Sequence, residues 1–301
     1  MVQHSWLPRH TMGRVVLFSA LIFVALILWF PISETFFWSF FIREPGQMEF
    51  NGLENFRKLL LEDEIFWKSL GVTAQFAVMA VPGVVIFGLV LALTVNNVRN
   101  ISVRGIFTAS FFSAYVVPLV AVALVWRYLY LPGRQGLFNV ILDWVNLGPI
   151  RWLNSSEWAL RSIAILRIWK EAGYAMVLFL AGMQAIPTTY YDAAKVDGAS
   201  AWQRFRYVTL PLLTPTMAFV VVVTTLSASL AFTEVYVMTA EAGGGRGGPN
   251  FATNLMSFHI FNTAIAYGHE GYGSAMAAVF FAIMVAIGYI QYRFIRATYE
   301  Y

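Results

Sequence analysis

Six long apolar stretches without Asp, Glu, Lys or Arg limit the folds that this sequence can adopt. Each is at least 19 residues long, and about 20 apolar residues let an α-helix cross the hydrocarbon core of a bilayer. Lipid offers the backbone no hydrogen-bond partner, so spanning segments must be helices or strands of closed barrels, and stretches of this length favour helices. They run from Val15 to Ser33, Ser69 to Val98, Gly105 to Trp126, Ala172 to Tyr191, Tyr207 to Thr233 and Gly271 to Tyr292.

Composition supports a membrane protein. Charged residues make up 12% of the chain and hydrophobic residues 59%, whereas a typical globular protein is about 25% charged. Cysteine is absent, which excludes disulfides and thiolate metal sites. The first apolar stretch lacks a small-residue cleavage site, so we interpret it as a retained helix. The sequence therefore predicts an all-α membrane protein.

The distribution of Lys and Arg predicts the orientation. With both termini inside, the cytoplasmic segments hold nine Lys or Arg in 50 residues, and the outer segments hold eleven in 117. The positive-inside rule favours this arrangement, and the absence of a basic cluster argues against nucleic-acid binding. We predict a cytoplasmic tail at 1–14 and a transmembrane domain at 15–301, with spans at 15–41, 69–98, 105–130, 160–187, 207–238 and 271–292, a cytoplasmic segment at 188–206, and outer loops at 42–68, 131–159 and 239–270.

The cytoplasmic segment between the fourth and fifth spans has signals for two short helices. Thr189 followed by Asp192 resembles a capping box and predicts a helix start. Gly198 suits a left-handed C-cap that would end this helix. Ser200 followed by Gln203 predicts a second start. We therefore expect a helical elbow with a glycine corner.

The first helix of this elbow is suited to contact with another protein. Ala193 and Ala194 keep one face flat, and Lys195 and Asp197 offer polar contacts beside it. A small helix of this kind can lie in a groove of a partner. From the residue types alone, an amphipathic loop helix on lipid headgroups is an equal alternative.

The elbow resembles the EAA motif of bacterial ABC-importer permeases, which reads Glu-Ala-Ala, three residues, Gly, nine residues, Ile, any residue, Leu-Pro. Asp192 and Val208 replace the usual Glu and Ile, and the spacing is kept. The matching residues are Asp192, Ala193, Ala194, Gly198, Val208, Leu210 and Pro211. Looser likenesses to the carbohydrate-uptake branch of these permeases occur at Gly52 to Phe56, Phe66-Trp67, Trp169-Lys170, Gln184 to Pro187, Gly247 to Pro249, Thr253, Leu255 and Gly271 to Ala275.

The resemblance implies a type I ABC-importer permease fold with six transmembrane helices in the bacterial inner membrane. It implies a second permease subunit, which gives a heterodimer, two ABC ATPase subunits that bind ATP and Mg²⁺, and an extracytoplasmic binding protein. The substrate would be a sugar or a related polyol or glycerol-phosphate solute. The ATPase-coupling residues would be Asp192, Ala193, Ala194, Lys195, Asp197, Gly198, Leu210 and Pro211.

The sequence lacks a phosphate-binding loop of the form G-x-x-x-x-G-K-[ST]. The glycine run from Gly243 to Gly248 contains Arg246 and is not followed by Lys-Ser or Lys-Thr. His259 has no ligand-type partner at metal-binding spacing. We therefore expect no catalysis, cofactor or metal in this chain, with ATP hydrolysis in separate subunits.

A candidate substrate path lies at the end of the fifth span. Glu234 stands between Phe232 and Tyr236, and a polar side chain among aromatics suits the hydroxyls and ring faces of a sugar. Trp169 and Tyr174 on the fourth span complete the predicted path. An interfacial aromatic belt is the alternative.

Three charged residues, Arg167, Lys170 and Glu171, lie at the outer end of the predicted fourth span. Charges within a membrane are functional candidates by default. Because Arg167 and Glu171 are four residues apart, the spacing also predicts a self-paired structural cluster.

Two other classes of membrane protein can be compared with the importer. A self-contained secondary transporter usually has two internal repeats with broken helices, and no second copy of a span pair is evident. A transferase acting on lipid-linked substrates would need clustered acidic ligands, and the acids here are dispersed. The secondary transporter is the alternative that we retain.

Overall fold

The structure, a computed structural model, describes residues 9–239 and 247–299. The glycine run predicted as a loop therefore lies largely outside the described residues, as does most of the predicted N-terminal tail. The described chain is mostly α-helical, with one β-hairpin. Its elements are α1 (Arg9–Val24), α2 (Phe30–Trp38), β1 (Phe41–Glu44), β2 (Gln47–Phe50), α3 (Glu54–Leu61), α4 (Glu64–Asn96), α5 (Ile101–Val116), α6 (Leu119–Leu129), α7 (Leu137–Trp144), α8 (Ala159–Gln184), α9 (Thr188–Val196), α10 (Ala201–Arg204), α11 (Leu210–Leu212), α12 (Thr214–Ser229), α13 (Thr233–Thr239), α14 (Met256–Phe261) and α15 (Glu270–Tyr299).

Three described helices are long and apolar enough to cross a membrane: Gly13–Trp38, Glu64–Asn96 and Glu270–Ile295. The count rises to five if the bent pairs α5–α6 and α10–α12 are each taken as one span. The helix α8 covers most of the predicted fourth span but carries several charged residues. Its crossing of the membrane stays a prediction.

Two predicted spans are not single straight helices. In the third, α5 ends at Val116 and α6 begins at Leu119, with a bend of 92° between them. Pro118 lies in this break, and proline lacks an N–H and disfavours helix in the residue before it. In the fifth, α10–α11 and α12 meet at 63°, and a second break separates α12 from α13.

The chain divides into two compact units, the first formed by Met1–Asp63 and Ile260–Ala282. The hairpin in this unit, which the sequence analysis did not predict, turns through Pro45 and Gly46, and Gly46 has a φ of +84°. Close packing fixes the start of α15 to the hairpin, because a Cβ on Gly271 would lie 1.9 Å from the carbonyl oxygen of Phe41. Tyr272 also donates a hydrogen bond of 2.6 Å to the Asp63 carboxylate.

The second unit, Glu64–His259 with Ile283–Tyr301, is built around α8. Fifteen of the 26 residues in this helix are buried, and it packs on α4, α5 and α12. Small residues allow the close contacts, as is common between membrane helices. A Cβ on Gly88 of α4 would lie 2.5 Å from the Cβ of Ala175 on α8. The centre of this unit is therefore a single unbroken helix.

Candidate functional site

The predicted elbow is present. The helix α9 ends in a Schellman motif, in which the Ala199 N–H donates to the Ala194 carbonyl at 2.8 Å and the Gly198 N–H donates to the Lys195 carbonyl at 3.0 Å. Gly198 has a φ of +76°, which glycine adopts without steric cost. The predicted glycine corner is confirmed.

The helix after the corner begins as predicted. Ser200 and Gln203 form a capping box: the Ser200 N–H donates to Oε1 of Gln203 at 2.7 Å, and the Gln203 N–H donates to Oγ of Ser200 at 3.3 Å. This arrangement satisfies two N–H groups that the first turn leaves without partners.

The predicted start of α9 was wrong. Pro187 is the N-cap, the helix begins at Thr188, and no side chain caps it. Proline has a fixed φ and keeps the residue before it out of the helical conformation. The helix therefore starts after Pro187, ahead of the expected cap at Thr189. Asp192 consequently lies beyond the first turn and pairs with Lys195 at 2.8 Å, where both side chains are more than half exposed.

The elbow presents apolar surface to its surroundings. No residue of α9 is buried, and Val196 and Trp202 are 88% and 69% exposed. The elbow is tied to the following helix by a hydrogen bond of 3.1 Å between the hydroxyls of Tyr191 and Thr209. The elbow therefore combines an exposed apolar surface with a hydrogen bond to the segment that follows it.

A second polar feature is buried within the helical unit and centres on Arg167. Its guanidinium bonds to Glu234 of α13 and to the Ser227 hydroxyl of α12. Its Nε also lies 3.0 Å from Oε1 of Glu171, an ion-pair distance without hydrogen-bond geometry. Ser227 in turn donates to Glu171 at 3.1 Å. The predicted pairing of Arg167 with Glu171 is confirmed, and Glu234 adds a second carboxylate.

Glu234 is the most buried member of this network, with a side chain that is 1% exposed. Its Oε2 atom is buried and has no hydrogen-bond partner among the described residues. A buried acceptor without a partner is costly. Glu234 therefore combines a tight ion pair with unused hydrogen-bonding capacity.

Lys170 does not join this network by hydrogen bonds. Its ammonium group instead donates to the carbonyls of Ala114, Tyr115 and Val117 at 3.2, 3.0 and 2.6 Å. These carbonyls belong to the last turn of α5 and to its C-cap Val117, where a helix has no backbone donors of its own. A cation is the favoured partner at this negative end of the helix dipole.

The predicted substrate-path residues form separate pairs. Phe232 stacks on Tyr236 with 5.4 Å between ring centroids, and Tyr174 stacks on Tyr115 at 4.7 Å. Trp169 is two residues from both Arg167 and Glu171, which puts it on the other side of α8. There it contacts Trp126 and lines a mostly apolar cavity of 450 Å³. The structure therefore does not bring all five residues to one surface.

Sequence reasoning missed Ser227 and the long-range partners of both cations. The sequence held two local signals of these contacts. One was the four-residue spacing of Arg167 and Glu171 on α8, and the other was Pro118 within the third apolar stretch. Pairing between residues 67 positions apart leaves no periodic trace. Within the described ranges, no three His, Asp or Glu side chains come together as metal ligands would.

Two features define the class of this chain. One is a bundle of bent helices around the charged helix α8, and the other is the exposed helical elbow; together they define a membrane permease. Residues 84–300, more than two thirds of the chain, match the family described as "Binding-protein-dependent transport system inner membrane component". The chain belongs to this family, which confirms the resemblance drawn from the motif. It is thus an inner-membrane subunit for import that depends on a binding protein.

Curated relatives cover nearly the whole chain. The sulfoquinovosyl glycerol transport system permease protein SmoG of Agrobacterium fabrum is 32% identical over 98% of this chain and 96% of its own length. The trehalose/maltose transport system permease protein MalF of Thermococcus litoralis is 34% identical over 91% and 90%. The lactose transport system permease protein LacF of Rhizobium radiobacter is 28% identical over 93% and 92%.

Solved structures share the fold. A crystal structure of a bacterial ABC transporter involved in the import of the acidic polysaccharide alginate contains a chain that superposes with a TM-score of 0.81 and 22% identity, over 97% of both chains. A methionine ABC transporter, MetNI, matches with a TM-score of 0.53 over 81% of this chain. The better match covers 97% of this chain, so the two chains share one fold over that part.

Proposed function

We propose that this chain forms, with a second permease subunit, the membrane path of an ATP-driven importer for a sugar or a related polyol or glycerol-phosphate solute. The single observation that carries this function is the exposed elbow at 188–206, built at EAA spacing in a chain of this family. Two ATPase subunits would supply the energy, and a binding protein would deliver the solute.

The substrate class rests on the relatives. Those named above carry sulfoquinovosyl glycerol, trehalose or maltose, and lactose in their names. Each of these compounds contains a sugar or polyol. A carbohydrate solute is the common chemistry that we transfer to this chain.

The topology we propose has six spans with both termini in the cytoplasm. The fourth span would be α8, whose charges are tolerable in a membrane because the protein partners them. Arg167 is held by carboxylates and a hydroxyl, and Lys170 by backbone carbonyls. The excess of Lys and Arg in the short segments supports the orientation.

The elbow would seat in a groove of an ATPase subunit. Its flat face would be formed by Ala193 and Ala194, with Asp192, Lys195 and Asp197 at its edge. Gly198 would set the corner, and Leu210 and Pro211 would join it to the fifth span. Exposed Val196 and Trp202 supply apolar area of the kind that protein interfaces bury.

The substrate path would include Glu234 with its neighbours Phe232 and Tyr236, and Tyr174 on α8. The unpartnered Oε2 of Glu234 supports this role, because a sugar hydroxyl could donate to it once the site opens. Tyr236 is 46% exposed and would offer a ring face. Trp169 would belong to a separate part of the path, since it lies on another side of α8.

The experiment that tests the importer is a pull-down of the tagged chain in mild detergent, with its genomic neighbours co-expressed. One sample keeps the Ala193 to Gly198 segment and a matched sample has it scrambled. We expect an ATPase to co-purify with the intact chain and to be lost with the scrambled one. If the chain inserts correctly yet purifies alone in both samples, a self-contained secondary transporter replaces the proposal.

A further inference from the structure

Two cations on α8, less than one helical turn apart, each hold the end of a different broken helix. Lys170 binds the end of α5, and Arg167 binds residues on both sides of the break between α12 and α13. Both residues are buried, at 8% exposure for Lys170 and 5% for Arg167. The two bent spans are therefore fixed to the same short stretch of one helix.

The contact of Lys170 is needed because of the bend. Were α5 continuous with α6, the carbonyls near its end would accept hydrogen bonds from the next turn. The break at Pro118 removes those donors, and lipid supplies none. Two carbonyls of α5 and that of its C-cap Val117 bind the one ammonium group instead. Gly173, one turn further along α8, completes the fit, because a Cβ there would lie 2.2 Å from the Phe111 carbonyl oxygen.

The contact of Arg167 bridges the other break. Ser227 lies in the last turn of α12, and Glu234 lies in the first turn of α13. One guanidinium bonds to both, so the two ends cannot separate without losing an ion pair or a hydrogen bond in a buried setting. Glu171 braces the same guanidinium from within α8.

The helix that carries these cations continues directly towards the elbow. It runs without a break from Ala159 to Gln184, and α9 begins at Thr188. A displacement of α9 therefore reaches α8 through a connection of three residues. Rigid packing transmits such displacements better than a loop does.

We infer that Lys170 and Arg167 are positioning residues that fix the breaks of the two bent spans to α8, so that a movement of the elbow moves both breaks together. This inference rests on the proposed coupling role of the elbow. It assigns the transmission of movement to two named contacts rather than to the bundle as a whole.

The first test measures whether Lys170 holds the bend. The chain has no cysteine, so Ile106→Cys on α5 and Tyr128→Cys on α6, both exposed positions, can carry spin labels without background. We expect a narrow distance distribution between the labels. Lys170→Met should broaden it, and Lys170→Arg, which keeps the charge and the donors, should restore it. Arg161→Met is the matched control, because it removes an exposed cation from the same helix.

The second test measures transmission in the importer complex purified through this chain. The rate at which a membrane-impermeant maleimide labels Tyr128→Cys is compared with and without ATP and vanadate. We expect the nucleotide to change this rate in the parent protein, in Lys170→Arg and in Arg161→Met. The change should be lost in Lys170→Met while the ATPase still co-purifies.

Each other outcome counts against the inference. An unchanged distance distribution in Lys170→Met would show that this residue does not hold the bend. A broadened distribution with an intact nucleotide response, or a parent protein whose labelling ignores the nucleotide, would reject transmission through this contact. If Lys170→Met fails to insert, Lys170→Gln takes its place in both tests. A parent chain without an ATPase would reject the proposed function instead, and the distance test would remain readable.

Discussion

Arg167 and Glu234 are 67 positions apart in sequence, yet they form a buried ion pair that joins α8 to α13. The side chains are 6% and 1% exposed. Ser227 shares the same guanidinium, so the pair also closes the break in the fifth predicted span. A charge pair in this setting is costly to desolvate and more costly to leave half made.

Removing one partner of this pair should destabilise the protein strongly. We expect Glu234→Leu to lower the stability by about 3–5 kcal/mol, because Arg167 would lose its most buried partner. The double variant with Arg167→Met should recover part of this loss, since no unpaired guanidinium remains. Thermal unfolding in detergent measures both. The control Asp143→Leu breaks the exposed pair with Arg134 and should change the stability by at most about 1 kcal/mol. Equal effects of Asp143→Leu and Glu234→Leu would contradict the buried pairing.

The corner of the elbow gives a prediction about coupling. A Cβ on Gly198 would meet no atom within 4 Å, so only its φ of +76° restricts the residue type. A left-handed conformation costs most residues about 1–2 kcal/mol, and Asn tolerates it better than β-branched residues. We expect Gly198→Val to insert normally but to reduce the ATPase that co-purifies and the ATP-driven uptake. Gly198→Asn should keep both near the parent level. If Val and Asn behave alike, the corner does not depend on the left-handed conformation.

The helices and the elbow could be predicted from local patterns, because each depends on residues near in sequence. Apolar stretches marked the helices, and the glycine corner and the Ser200 cap followed from residue types that favour one backbone conformation. The cap at Thr189 failed because Pro187 starts the helix earlier. The sequence shows Pro118 but does not predict the break in the span, because the break is stabilised by Lys170 some fifty positions later. The same limit explains why the sequence placed Glu234 in a candidate substrate path but did not predict its buried ion pair with Arg167.

Because α5 and α8 lie close together, we predict that substituting alanine for a glycine has different effects on stability at two positions. A Cβ on Gly173 would lie 2.2 Å from the Phe111 carbonyl oxygen, whereas a Cβ on Gly105 would meet nothing within 4 Å. Gly173→Ala should therefore destabilise the protein by about 1–3 kcal/mol through overpacking against backbone. Gly105→Ala should be neutral or should stabilise α5 by about 0.5–1 kcal/mol, because alanine restricts the unfolded chain. The measurement is the thermal unfolding midpoint of each variant, and a tolerated Gly173→Ala would show that the two helices lie further apart.

The buried segment at Asn254 to Met256 is bound to α4 through side-chain hydroxyls. The Thr73 hydroxyl accepts a hydrogen bond of 2.8 Å from the Met256 N–H, and Asn254 donates to the Ser69 hydroxyl one turn earlier at 2.8 Å. Thr73→Val keeps the side-chain shape but leaves a buried N–H without an acceptor, which should cost about 1–3 kcal/mol.

Thr94 provides the matched control on the same helix, because its exposed hydroxyl bonds to the Val90 carbonyl within α4. Thr94→Val should therefore change the stability by less than about 0.5 kcal/mol. Hydrogen exchange locates the effect: the Met256 amide should exchange faster in Thr73→Val and at the parent rate in Thr94→Val. Unchanged protection of that amide in Thr73→Val would mean that packing, and not this hydrogen bond, holds the segment. Faster exchange would instead identify α4 as the support that fixes this segment of the predicted outer loop to the helical unit.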